Sequence, residues 1–227
     1  MCTLPSSGRL LSISDAHEVT AIRTAAASAV ATDFLARGDS KTLCLLGTGT
    51  QALKHVEAIK CVRPINCVHI WGRDASKAKR AAKQIRKCTG LEVKVFDAVP
   101  AAVKNADIVC TLTGATSPIL KRKWVAPGTH INAVGACTPK HREVDTELVV
   151  TSRLFFDTAA ACMKEPGDIT TPLSEGAKVK AVGEIGALAA KTIAGRTSAT
   201  DITLFKSVGA AVEDLFAAKL IYDAYSA

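Results

Sequence analysis

The segment 41–73, KTLCLLGTGTQALKHVEAIKCVRPINCVHIWGR, restricts the possible fold more than any other stretch of the chain. It opens with an apolar run at 43–46, the length of a fully buried strand. Gly47, Gly49 and Ala52 follow as G-x-G-x-x-A, with Ala52, Val56 and Ile59 at helical spacing. A second apolar run occupies 67–71. Strand, glycine turn, helix and strand in that order make the unit that holds a dinucleotide. Gly47 permits the tight turn, and Gly49 lets the backbone approach a pyrophosphate. Ala52 lets the helix pack close to the strand, so that the helix N-terminal amides point at the phosphates. The same glycines also suit a turn that binds nothing, but the strands on both sides favour the dinucleotide.

The end of the second strand selects the cofactor. An NAD site usually carries Asp or Glu there, bonded to the ribose 2′-hydroxyl. Here the chain reads Trp71-Gly72-Arg73-Asp74, with no acid in the last strand position. Arg73 offers a planar fork suited to a phosphate, which points to NADPH; Asp74 is the argument for NADH.

Charge raises nucleic acid as a partner and then sets it aside. The formal net charge is +8 over 227 residues, and seven of the 29 basic residues lie between Arg73 and Lys87. Their helical spacing reads as a solvated face, and few aromatics interleave with them, so a base-stacking platform is not expected. Beside an adenosine site, the same charges raise the local potential for an anionic cofactor. No apolar run reaches 18 residues, so no membrane span is expected, and the N-terminus lacks a signal-peptide apolar core. The eight cysteines are scattered with no C-x-x-C, a pattern of a reducing, cytoplasmic compartment rather than of disulfides or zinc.

The rest of the chain predicts alternating strands and helices. Pro5 to Gly8 reads as a turn and 9–14 as a short strand. Asp15 is an expected N-cap, with Glu18 completing a capping box, and the helix runs to about Leu35. Its apolar stripe is Val19, Ile22, Ala26, Val30 and Phe34, and its alanine-rich face allows close packing on a sheet. Helices are expected at 76–88, 99–104, 183–194 and 209–226. Strands are expected at 92–96, 107–111, 130–134, 154–157 and 201–205, with 166–176 a loop. Thr113-Gly114 and the segment 135–139 follow strands, where open parallel sheets present their ligand crevice. The expected fold is α/β, a doubly wound parallel Rossmann sheet complete before residue 165. An incomplete second domain would come from the two chain ends, dividing the chain at 1–36, 37–200 and 201–227.

With these motifs placed, the chain resembles the ornithine cyclodeaminase and mu-crystallin family. The resembling stretches are VTAIRTAA at 19–26, LGTGTQA at 46–52, HINAVG at 130–135, FKSVG at 205–209, VED at 212–214 and AAKLIYD at 217–223. They run in the family's order over nearly the whole chain. The resemblance implies a Rossmann domain flanked by a substrate and dimerisation domain, hence a homodimer. It implies that Arg23 touches the cofactor, that Thr48, Thr50 and Gln51 join Gly47 and Gly49 on the pyrophosphate, and that Gly72, Arg73 and Asp74 surround the 2′-phosphate. Thr113, Gly114 and Val134 would line the nicotinamide side, Lys206 and Ser207 would close the pocket, and Glu165 would face the substrate.

The implied activity is NADPH-dependent reduction of the C=N bond of cyclic ketimines, small imino acids or related carboxylates. Two alternatives accompany the family: a non-catalytic NADP-dependent binder of thyroid-hormone-type ligands, and the NAD-dependent lyase ornithine cyclodeaminase. The chain departs from the family pattern in two places. Gly72 replaces an Asn of mu-crystallin-like members, removing a side-chain hydrogen bond. Cys137 stands where cyclodeaminases have Asp and mu-crystallin-like members have Ser, which argues against the deaminating chemistry and leaves Cys137 as a weak proton donor or a structural thiol. Family members carry tens of residues before the equivalent of Arg9, including the Arg and Lys expected to grip the substrate carboxylate and donate the proton. The chain by itself is therefore expected to bind NADPH and to reduce ketimines slowly.

Overall fold

The computed structural model describes residues 2–3, 8–13 and 15–226. Most of the expected turn at Pro5 to Gly8, and Ser14 of the expected first strand, lie outside the described residues. Two short strands, β1 (Cys2–Thr3) and β2 (Leu10–Ser12), pair antiparallel. Helix α1 (Ala16–Leu35) follows, its Asp15 N-cap accepting from the His17 amide. Glu18 does not complete a capping box; its carboxylate pairs with Lys54 at 3.3 Å.

The first mononucleotide unit forms where the glycines place it. It runs β3 (Thr42–Leu46), α2 (Thr50–Lys60), β4 (Cys67–Trp71), α3 (Ala75–Thr89) and β5 (Glu92–Phe96). Alternate β3 residues face opposite ways. Leu43 and Leu45 pack under α2 and α3 with Val56, Ile59 and Ile85, whereas Cys44 and Leu46 face the other layer. A strand buried on both faces reads as a continuous apolar run. Helix α3 ends at Gly90, whose φ of 70° is the left-handed conformation that closes a helix cheaply only with glycine.

The second half runs α4 (Val99–Val103), β6 (Ile108–Thr111), a 3₁₀ turn (Arg122–Trp124), β7 (His130–Ala133), α5 (Thr146–Thr151), β8 (Arg153–Phe156) and α6 (Ala159–Cys162). It ends with α7 (Gly167–Ser174), β9 (Ala181–Glu184), α8 (Ile185–Ala189), β10 (Thr203–Lys206) and α9 (Ala211–Ser226). All eight strands from β3 onward are parallel, in the order β5-β4-β3-β6-β7-β10-β8-β9.

Three expectations fail here. The sheet is not complete before residue 165: β10 enters its middle, pairing with β7 on one side and β8 on the other. All four β10 residues are buried, with Leu204 in one core layer and Phe205 in the opposite one. That places the strand of the 201–227 segment in the main sheet, while α9 packs on α1. The expected helix at 183–194 is a strand followed by a short helix, because Gly183 lies on the β8 edge against the Ile193 side chain. The expected loop at 166–176 contains α7.

Helix α1 buries mainly its small face, with Leu35 the large side chain buried at its end. Ala21, Ala25, Ser28, Ala29 and Thr32 lie inside, allowing α2 close enough for a 3.0 Å hydrogen bond between Ser28 Oγ and His55 Nε2. Ile22 and Val30 are left exposed, as are Phe216 and Leu220 on α9.

Candidate functional site

Between β3 and β6 the strand order reverses direction, with β4 and β5 on one side and β7 and β10 on the other. Open parallel sheets bind ligands at the carboxyl ends of the strands at this point. The protein has a crevice of about 330 Å³ there, lined among others by Gln51, Thr113, Gly114, Val134, Cys137 and Ser207. Gly47 adopts φ 139°, and a Cβ on it would stand 2.5 Å from the Leu112 carbonyl oxygen, so the two strand ends touch only because position 47 is glycine. Gly49 caps α2 without any side-chain bond, leaving the Thr50 and Gln51 amides open while the Ala52 amide donates to the Gly49 carbonyl at 3.0 Å. Gln51 Oε1 is buried with no partner among the described residues. Free helix amides, a glycine-only approach and an orphan polar atom together fit a dinucleotide pyrophosphate.

At the end of β4, a Cβ on Gly72 would meet Thr48 Cγ2 at 2.5 Å, so the small residue makes room for the glycine loop. Arg73 is exposed and makes no hydrogen bond or ion pair among the described residues. Asp74 is committed elsewhere: its Oδ1 accepts from the Ser76 and Lys77 amides as the N-cap of α3. The Lys77 amide bond, with help from the Ser76 amide and nearby cations, holds its carboxyl below the usual range. The geometry leaves an unbonded guanidinium at the end of β4, beside a carboxylate whose Oδ1 is taken up by the α3 amides.

Under the other end lies a buried polar floor. Glu143 accepts from Thr111 Oγ1 at 2.7 Å, Thr113 N at 2.6 Å, Thr113 Oγ1 at 2.7 Å and Gly135 N at 2.8 Å. Asp168 accepts from the Glu143 and Val144 amides and from Lys206 Nζ at 3.0 Å. Burial pushes the Glu143 carboxyl up, and Lys206 opposes the shift. Burial alone would lower Lys206, but Asp168 and Glu143 outweigh it and hold the ammonium above its ordinary value. Asp157 accepts from Ser207 Oγ at 3.0 Å, Val208 N at 2.7 Å and Gly209 N at 2.6 Å, which shapes the far wall. Cys137 lies on the rim, its Sγ donating to the Val134 carbonyl at 3.2 Å. Desolvation raises its thiol despite Lys206, so the thiol stays protonated near neutral pH.

Known proteins share this fold. The family model described as "Ornithine cyclodeaminase/mu-crystallin family" matches residues 2–227. The chain belongs to the ornithine cyclodeaminase/mu-crystallin family. It is 43% identical over 222 residues to the ketimine reductase mu-crystallin of Macropus fuliginosus, covering 98% of this chain and 67% of that protein. A solved Delta(1)-pyrroline-2-carboxylate reductase of Thermococcus litoralis, in complex with NADH and L-proline, superimposes with a TM-score of 0.95. Its identity is 37%, over 97% of this chain and 69% of that one. An archaeal alanine dehydrogenase dimer with bound NAD gives a TM-score of 0.92 at 32% identity, over 97% and 68% of the two chains.

Among the residues that the family resemblance singled out, Gln51, Thr113, Gly114, Val134, Cys137, Ser207 and Arg23 meet around the crevice. Arg23 is not free, however: Nη1 bonds Glu213 at 2.9 Å and Nε bonds Asp214 at 2.9 Å, and the guanidinium lies over Gly209. Two expected roles change. Lys206 is fully buried with its amine on Asp168 and the Ala133 carbonyl, so it braces the wall from behind instead of touching a cofactor. Glu165 is exposed after α6 and does not line the crevice. Sequence reasoning missed Glu143, Asp157 and Asp168. A single acid ahead of a helix or after Pro-Gly carries no local signal of burial, although the pairing of a buried Lys206 requires one.

Proposed function

We propose that the chain reduces the C=N bond of small cyclic imino acids and takes NADPH in preference to NADH. The observation that carries the cofactor choice is the end of β4, where Arg73 is uncommitted and Asp74 is spent on capping α3. The relatives named as a ketimine reductase and a Delta(1)-pyrroline-2-carboxylate reductase support imine reduction. The Thermococcus structure holds NADH, so the preference for NADPH rests on Arg73.

When bound, a nicotinamide cofactor supplies the hydride. Every other contribution belongs to this chain. The first-turn amides of α2, reached across Gly47, Thr48 and Gly49, hold the pyrophosphate, with Thr50 and Gln51 beside it. Arg73 pairs with the 2′-phosphate. Thr113, Gly114 and Val134 form the wall on the reactive side. Arg23 and Cys137 are the ionisable side chains among the described residues lining the crevice. Cys137 is thus the proton donor proposed here, a weak one because its thiol is raised. A substrate carboxylate would have to draw Arg23 away from Glu213 or Asp214.

Assembly as a homodimer belongs to the same reading. Ile22, Val30, Ile185, Phe216 and Leu220 surround an apolar groove of about 620 Å³ between α1, α8 and α9, and an archaeal structural relative is named as a dimer. A second copy is the occupant proposed for it. Among the described residues no helix is long and apolar enough to cross a membrane. The seven cysteines whose side chains are described are free thiols, and a reducing, cytoplasmic setting belongs to the same proposal.

The test is fluorescence titration with NADPH and NADH, followed by NADPH oxidation in the presence of a cyclic ketimine carboxylic acid. Tighter NADPH binding and imine-dependent oxidation are expected. Tighter NADH binding would remove the cofactor assignment, and oxidation independent of the imine would remove the reaction.

A further inference from the structure

We infer that Glu143 is the positioning residue of the crevice. Its buried carboxylate clamps the carboxyl ends of β6 and β7 together and so sets the width of the slot between them. The inference rests on the proposed dinucleotide function only in what the slot is for.

The clamp is built from both directions. On the β6 side it holds Thr111 and Thr113, and on the β7 side Gly135. Thr113 and Gly135 line the crevice, whereas Thr111 is fully buried in β6 and does not. The two loops already touch: a Cβ on Gly135 would collide with the backbone N and O of Thr113 and stand 2.7 Å from Glu143 Oε1. Glu143 is itself immobilised. Its amide donates to Asp168 at 2.6 Å, and its carbonyl accepts from the Ile119 and Leu120 amides at 2.8 and 2.9 Å. Asp168 is in turn held by Lys206 of β10, whose amine also reaches the β7 carbonyl of Ala133 at 3.0 Å. One chain of polar contacts therefore ties β10, β7, β6 and α7 beneath the slot.

A carboxylate is required, and an amide of the same shape will not serve. The Thr113 N–H lies on Oε1 and the Gly135 N–H on Oε2. Threonine hydroxyls can rotate to accept, but backbone amides can only donate. Glu143→Gln must therefore oppose one of the two amides with its own NH₂ and release one arm of the clamp, while keeping the side-chain volume.

The experiment measures amide exchange in the cofactor-free protein, NADPH affinity, and kcat against KM for the imine. In Glu143→Gln, exchange at Thr113 or Gly135 is expected to quicken about tenfold or more, with β4 and α3 amides unchanged, as for loss of one charge-assisted bond. NADPH Kd is expected to rise about tenfold, and kcat to fall more than imine KM changes. Thr111→Val removes an arm that does not face the crevice, so any effect on the dinucleotide must pass through Glu143; a rise in Kd of about threefold is expected. Unchanged exchange and Kd in Glu143→Gln would overturn the inference. Should that variant fail to fold, unchanged exchange and Kd in Thr111→Val would overturn it. A wild-type protein that bound no dinucleotide would refute the function instead, and the exchange measurement would still decide the clamp.

Discussion

Replacing Arg73 with Ala is the sharpest perturbation of the cofactor assignment, because the structure isolates the residue. Arg73 is exposed and bonds nothing among the described residues, so its removal costs the fold no internal contact. The neighbouring Asp74 keeps its bonds to the Ser76 and Lys77 amides, so α3 stays capped. What disappears is a charge-assisted hydrogen bond to a phosphate, worth about 1.5–3 kcal/mol. Exposure to solvent places the expected loss near the lower end, about 1.5 kcal/mol, or roughly tenfold in NADPH Kd. NADH lacks the phosphate, and its Kd should change by less than about twofold on the same scale. The assay is paired fluorescence titration of both cofactors with wild type and variant, at low and at near-molar salt. The NADPH-specific loss should shrink at high salt, because screening weakens an exposed pair. Equal losses for NADPH and NADH would refute the reasoning, since Arg73 would then be acting on something the two cofactors share.

Other outcomes follow from the same coordinates. Leu220→Glu on the exposed face of α9 should shift the light-scattering mass toward a monomer, and a wild-type protein that is already monomeric would remove the dimer. Cys137→Ala should leave NADPH affinity intact and lower imine-dependent turnover about a hundredfold, the usual scale for loss of a proton donor, whereas equal turnover would take Cys137 out of the chemistry. Burial lowers His55 to about 4 and His130 to about 3, against 6.5 when unfolded, so the unfolded chain binds more protons between those values. Their contribution to stability is present above pH 6.5 and is lost as pH falls toward 4, by up to about tenfold in the folding equilibrium per histidine per pH unit. Denaturant titrations at pH 7.5 and 5 should show that loss, and His55→Asn should reduce it; an identical loss in the variant would contradict the assignment.

The dinucleotide half was legible in the chain because its signals are local. Gly47, Gly49 and Ala52 act within one turn of each other, and the runs at 43–46 and 67–71 are long and apolar enough to be buried strands wherever they pair. Arg73 and Asp74 were legible as a choice of cofactor, but which of the two is free was not. That depends on whether Asp74 caps the next helix, a contact decided when α3 forms. The second half resisted because its order is non-local. Nothing in Thr203-Leu-Phe-Lys206 says that the strand slots between β7 and β8, since a parallel sheet lets a late strand return inward once helices have crossed over. The polar floor was hidden for the same reason. Lys206 reads as a residue that closes the pocket until β10 is placed in the sheet, and burial then demands the partner that α7 brings as Asp168. Local backbone signals in the sequence thus determined where the glycine turn of the proposed dinucleotide site forms, while tertiary packing alone decided which carboxylates support the crevice, because a buried charge acquires its role from neighbours far away in the chain.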